Sequence, residues 1–152
     1  MHGARPSAPR IAPRADLLDK IRQAQKDLPV NAVNVSATLA RNKNLSKAFG
    51  TFAQAVLFDP GVSRRNIELA VLRMGWNCQA VYEFGQHTLF GRDVGLTDAE
   101  IYAVTRPLGR HAWTDEERAV LQLVDDLYAD DCVSDATWAE ASRFFDRSEE
   151  HT

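Results

Sequence analysis

The 152-residue chain predicts an all-α fold. Three observations carry that prediction. Apolar residues recur at three- and four-residue spacing through most of the chain. Two capping boxes, Thr97-Asp98-Ala99-Glu100 and Thr114-Asp115-Glu116-Glu117, open helices by pairing a hydroxyl and a carboxylate with free backbone N–H groups. No segment alternates apolar and polar residues as a half-buried strand does. The expectation is a compact domain of roughly six to eight helices.

The elements follow in order. Residues 1–14 carry Pro6, Pro9 and Pro13 and read as a disordered or wrapping N-terminal arm. Asp16 can cap a first helix through about Leu28, where Pro29 breaks it. Asn31 to Asn42 reads as a short helix carrying Val35, Leu39 and Ala40. Leu45 to Phe58 is a longer one, apolar at Leu45, Ala48, Phe49, Phe52, Val56 and Leu57. Asp59-Pro60-Gly61 is a turn. Ser63 caps a helix in which Ile67, Ala70, Val71 and Met74 repeat at helical spacing. A break near Gly75 to Cys78 leads into a helix through about Val94, stopped by Gly95. The first capping box opens a helix to Thr105, and Pro107 and Gly109 break the chain. The second opens a helix to about Ala129, with Ala119, Val120, Leu123, Val124 and Leu127 inward. Ser134 starts a last helix through Phe145. The helical domain is thus expected over residues 15–146, followed by a polar tail, 147–152.

Composition excludes several functional classes. A net charge of -3 and a pI near 5.8 argue against nucleic acid as the main partner. No apolar run approaches the roughly 20 residues of a membrane span, and the N-terminus has no secretory h-region. Cys78 and Cys132 lie far apart, with no CxxC and no metal-ligand spacing. A reducing cytoplasm is the expected location. The tail, Arg147-Ser148-Glu149-Glu150-His151-Thr152, reads as the translation of a sequencing adapter, which implies a missing natural C-terminus; the alternative is a short polar tail that frays.

The chemistry concentrates between Glu68 and His87. Glu83 and His87 stand four apart, hence on one face of a helix, and Glu68 lies on the helix before. Two carboxylates and an imidazole that converge are the raw material of acid–base catalysis. A carboxylate neighbour favours the imidazolium form and burial disfavours it, so the two effects together can poise such a group. The same pair can equally be a helix-surface contact worth about 0.2–0.5 kcal/mol. Arg73 and Arg92 can meet a substrate carboxylate through bidentate contacts, or serve as salt-bridge partners. Trp76, Tyr82 and Phe84 fit a core or subunit contact better than a substrate lid. His111 and His2 show no partner pattern.

Three segments in this order carry a family resemblance: Ile67-Glu68-Leu69-Ala70-Val71-Leu72-Arg73, Tyr82-Glu83-Phe84-x-x-His87, and Gly95-Leu96-Thr97-Asp98-Ala99-Glu100-Ile101. Together they resemble the carboxymuconolactone decarboxylase family, which shares its helical fold with alkyl hydroperoxidase D. The matching block covers about residues 45–105. In the hydroperoxidase branch the family uses a Glu, a CxxC pair and a His. Anchoring on His87 puts those cysteine positions at Ala80 and Glu83 and the glutamate at Glu68. The chain keeps the Glu and the His and lacks both cysteines, so dithiol peroxidase chemistry, which needs an attacking and a resolving thiol, is not expected.

The decarboxylase branch has the Glu-x-x-x-His form without CxxC. The resemblance therefore implies a carboxy-lyase acting on a small carboxylated lactone or related acid from aromatic-compound breakdown, with no metal or organic cofactor. It implies His87 as proton donor, Glu83 or Glu68 as its orienting partner, Arg73 and Arg92 as candidate substrate-binding cations, and a homo-oligomer, a trimer or hexamer. The alternatives are a peroxiredoxin-type oxidoreductase by family label alone, or a non-catalytic helical oligomer. A buried pocket joining Glu68, Glu83 and His87 favours the enzyme, and a solvated Glu83–His87 pair favours the structural protein.

Overall fold

The computed structural model describes residues 8–24, 33–57 and 61–145. Among these, eight α-helices follow one another: α1 (Ala15–Ala24), α2 (Val33–Leu39), α3 (Lys43–Leu57), α4 (Arg64–Asn77), α5 (Val81–Asp93), α6 (Asp98–Ala103), α7 (Asp115–Asp130) and α8 (Asp135–Ala141). A 3-10 turn, Leu108–Arg110, separates α6 from α7. No described residue lies in a strand, and the fold is all-α as the periodicities predict. The expected breaks at Pro29 and Asp59-Pro60, the end of the first helix at Leu28, residues 1–7 of the N-terminal arm and the polar tail lie outside the described residues. The chain forms two compact units, residues 1–56 and 57–152.

In the first unit α1 packs on α2. The Arg14 N–H donates to the Ala37 carbonyl at 3.1 Å, and Ala37 is fully buried. Arg41 Nε reaches the Ala12 carbonyl at 2.7 Å. Asp16 does not cap α1, which already begins at Ala15; its carboxylate pairs with Arg14 instead. The capping residue that periodicity overlooked is Asn42, whose side-chain oxygen accepts from the Leu45 N–H at the start of α3. The apolar residues of α3 stay outside the core, with Leu45, Phe49, Phe52 and Val56 all exposed.

In the second unit α4 lies between α5 and α7, and α8 packs on α7. Ser63 caps α4 by accepting from the Asn66 N–H. The helix runs past Gly75 to Asn77, so the break expected near Gly75 to Cys78 falls at the end of that range. There the Ala80 N–H returns to the Gly75 carbonyl and the Gln79 N–H to the Trp76 carbonyl, a Schellman end with Gln79 at φ 52° in the left-handed region. The end of α5 repeats the pattern: Leu96 bonds back to Gly91 and Gly95 to Arg92, with Gly95 at φ +89°. Gly91 is required by packing as well. A Cβ there would sit 3.0 Å from a Leu96 methyl and 3.4 Å from a Leu72 methyl. Both capping boxes form as expected. Helices α6 and α8 stop earlier than the sequence suggests. Their last turns tighten, with Thr105 bonding to Tyr102, Arg106 to Ala103, and Phe144 to Ala141.

The core gathers Leu69, Leu72, Leu96, Ile101, Val104, Trp113 and Leu121, with Phe84 and Leu108 packed on it. The residues that repeat at helical spacing on α4 are not the ones buried deepest. Leu69 and Leu72 are fully buried, whereas Ile67, Ala70, Val71 and Met74 are only half-buried. On α7, Leu121 is fully buried while Leu127, expected inward, is exposed. Both helices carry more apolar residues than one face holds, so periodicity alone leaves the choice of face to tertiary packing.

Candidate functional site

The α4–loop–α5 hairpin builds the site. The Schellman turn at Cys78–Ala80 folds α5 back along α4, so that Gly75 of α4 lies against the backbone of Phe84, where an added Cβ would come within 3.5 Å of its nitrogen. That close approach faces Glu68 on α4 toward His87 on α5. His87 Nδ1 lies 2.7 Å from Glu68 Oε2. The Glu68 side chain is 3% exposed and that of His87 13%, so the contact is shielded from solvent. On its other side His87 Nε2 stands 3.9 Å from Glu83 Oε2, and the Glu83 side chain is half exposed. Phe90 packs edge-on to the imidazole at 5.4 Å between ring centroids. The three residues thus form a line from a buried carboxylate, through an imidazole, to a carboxylate at the surface.

Glu83 opens onto a depression of about 440 Å3 lined by Ala70, Val71, Met74, Cys78, Ala80 and Val124 beside it. Ala70, Val71 and Met74, three of the four half-buried apolar residues of α4, are thus a wall of this depression. So are Ala80 and Glu83, the two positions where the resemblance puts cysteines. A larger apolar depression of about 620 Å3, lined among others by Trp76, Val81, Phe84 and Tyr128, holds none of Glu68, Glu83 and His87. Of the three residues, Glu83 alone lines the smaller depression.

The two arginines named by the sequence stand elsewhere. Arg73 is buried and forks onto Asp125, Nε to Oδ1 and Nη2 to Oδ2, both at 2.7 Å. Its Nη1 donates to the Val104 and Arg106 carbonyls, and Asn77 adds a bond to Asp125 at 2.9 Å. Arg92 pairs with Asp98 at 2.8 Å, and both side chains are exposed. Cys78 and Cys132 are exposed, and the Cys78 sulfur lies 3.6 Å from that of Met74.

One residue beside the site carries no sequence signal. Gln86, next to His87 on α5, is buried, and its side-chain carbonyl oxygen has no hydrogen-bond partner among the described residues. A buried acceptor without a partner is uncommon. A glutamine inside a helix is ordinary, so only burial marks it out.

A second charged cluster centres on Arg65 of α4, three residues before Glu68, and draws in Glu100 of α6 and Glu117 of α7. Arg65 donates to Glu117 at 2.8 Å and to Glu100, and its Nη1 bonds the Gly95 carbonyl at 3.1 Å. Burial opposes ionisation of both glutamates. The Thr97 and Thr114 caps and the Arg65 guanidinium outweigh it and hold both carboxyls below their ordinary range.

Compared with known proteins, residues 43–126 match the model of the Carboxymuconolactone decarboxylase family. The matched interval contains Glu68, Arg73, Glu83, His87 and Arg92. No match is found among curated proteins or solved structures.

Proposed function

This chain belongs to the carboxymuconolactone decarboxylase family, and from that premise we propose that it is a proton-transfer enzyme, a carboxy-lyase acting on a small carboxylated lactone or related acid. The observation that carries the reading is the line Glu68–His87–Glu83 ending in a pocket. Glu68, buried and 2.7 Å from Nδ1, accepts a hydrogen bond from Nδ1–H, so that the proton His87 gives up as imidazolium is the one on Nε2, facing Glu83, and it is regained from solvent after turnover. Glu83 stands at the pocket wall and passes the proton between Nε2 and the substrate. In decarboxylation the C–C bond breaks, CO2 leaves, and the electron pair enters the conjugated carbonyl as an enolate. The carbon then takes a proton, which His87 supplies. The apolar wall of Ala70, Val71, Met74 and Val124 favours spreading that charge over localising it on a carboxylate.

In this reading Arg73 serves the fold, since Asp125 and two carbonyls occupy its donors. Arg92 is the candidate cation for a substrate carboxylate, because an exposed pair such as Arg92–Asp98 is worth at most about 1 kcal/mol and exchanges readily. The protein works as a homo-oligomer, trimeric or hexameric. Exposed Phe52, Trp76 and Val81 support that assignment, and light scattering showing a stable monomer would count against it.

The test is a screen of lactone and keto-acid substrates by loss of ultraviolet absorbance, with His87→Ala as control. Turnover that His87→Ala removes supports the reading; turnover indifferent to it overturns the site. Peroxide reduction depending on Cys78 or Cys132 would favour the oxidoreductase label instead.

A further inference from the structure

A third depression, of about 470 Å3, lies in the same unit and takes no part in the proton line. It is lined by Ala99, Tyr102, Ala103, Arg106, Pro107, Arg110 and His111. Two guanidinium groups and an imidazole thus share one concave surface with no acidic residue in its lining, on a chain whose net charge is -3. Neither arginine forms an ion pair among the described residues. On ordinary surfaces of an acidic protein, cations pair with nearby carboxylates. The acids before Arg106, Asp98 and Glu100, are turned to Arg92 and Arg65, and of those after Arg110, Glu116 accepts from Asn66 and Asp115 forms no ion pair among the described residues.

The site is also held in shape. The Arg106 guanidinium lies 4.8 Å over the Tyr102 ring and donates to its hydroxyl. The His111 ring packs on buried Trp113 at 4.3 Å between centroids. The backbone between them is a 3-10 turn opened by Pro107. Its first residues are tied down from below, because buried Arg73 donates to the carbonyls of Val104 and Arg106. A loop so fixed presents its cations without first having to order them.

We propose that this depression is a binding site for a small dianion with a short apolar body, a phosphate monoester or a dicarboxylate. Arginine forks match the two oxygens of either group, and His111 adds a third donor. Ala99, Ala103 and Pro107 give the apolar body its contact. Phosphate and carboxylate are two sources of one chemistry, and the experiment separates them.

Amide chemical shifts of the full chain are followed by two-dimensional NMR while inorganic phosphate and, separately, phthalate are added. The expected result is saturable shifts at Tyr102, Arg106, Arg110 and His111, with affinity falling as salt rises. The double variant Arg106→Gln/Arg110→Gln should weaken binding at least about tenfold with the rest of the spectrum unchanged. Saturation by phosphate alone assigns a phosphorylated ligand, and by phthalate alone a dicarboxylate. Arg106→Lys, which keeps the charge and loses the fork, should bind between parent and double variant. Shifts that do not saturate by about 50 mM, or that survive in the double variant, overturn the proposal. None of these readouts depends on turnover, so failure of the acid–base reading leaves this one standing, and the reverse.

Discussion

Helix α4 carries two clusters of similar make-up three residues apart, and they differ in what is left over. At Arg65, one guanidinium meets two glutamates, and each glutamate also closes its own capping box. Its Nε, Nη1 and Nη2 are all used, and both carboxyls are held ionised. At Glu68, one buried carboxylate meets one imidazole on one nitrogen only. The second nitrogen faces Glu83 at a distance too long for a hydrogen bond, beside a pocket. Saturation fixes structure, whereas a ring nitrogen left without a hydrogen bond, facing a carboxylate that lines a depression, can act on something that enters it. The difference separates scaffold from candidate site without appeal to residue type.

The comparison breaks most visibly at His87. His87→Ala should lower turnover of a confirmed substrate by about 10²–10⁴ per folded molecule and, by stranding buried Glu68, cost about 1–3 kcal/mol in denaturant unfolding. A large loss of stability with no loss of turnover would make both clusters structural. Arg65→Met is the mirror experiment. It should cost about 1–3 kcal/mol in denaturant unfolding and leave turnover per folded molecule intact. Glu68→Gln, which keeps shape and removes charge, should lower turnover by about tenfold or more with little change in the far-ultraviolet spectrum. The smallest effect is the pH dependence. Glu100 and Glu117 have folded-state values below the ordinary 4.5, so their stabilisation is complete above that value and is lost as the pH falls through the folded values. Arg65→Met should therefore show a shallower acid destabilisation below about pH 4.5 than the parent.

Much of this contrast could be read before any coordinates. Thr97, Thr114, Ser63 and Gly95 announce their helix ends through local chemistry, and all four act as their type predicts. Gln79 does not, because a left-handed residue other than glycine has no local signature. The i,i+4 rule points from His87 to Glu83, yet the shorter contact crosses to Glu68 on the neighbouring helix. Sequence order places Glu68 on the preceding helix, but no local spacing pairs it with His87; the family resemblance is what aligns it as the glutamate position. Arg73 reads as an available cation, but its partner, Asp125, is 52 positions away, beyond the reach of any local pattern. Depth of burial on α4 is hidden for a related reason. Three of its half-buried apolar residues wall a depression, and periodicity cannot tell a wall from a core.

The tie between the two capping boxes has a consequence for how the molecule opens. Thr97 and Thr114 start different helices, but the carboxylates that complete their caps are held by a single side chain from a third. Neither helix start can fray alone without leaving that side chain half-paired. The first turns of α6 and α7 are thereby joined into one cooperative unit, and their amide protons should exchange with solvent together, at the rate of the more stable of the two.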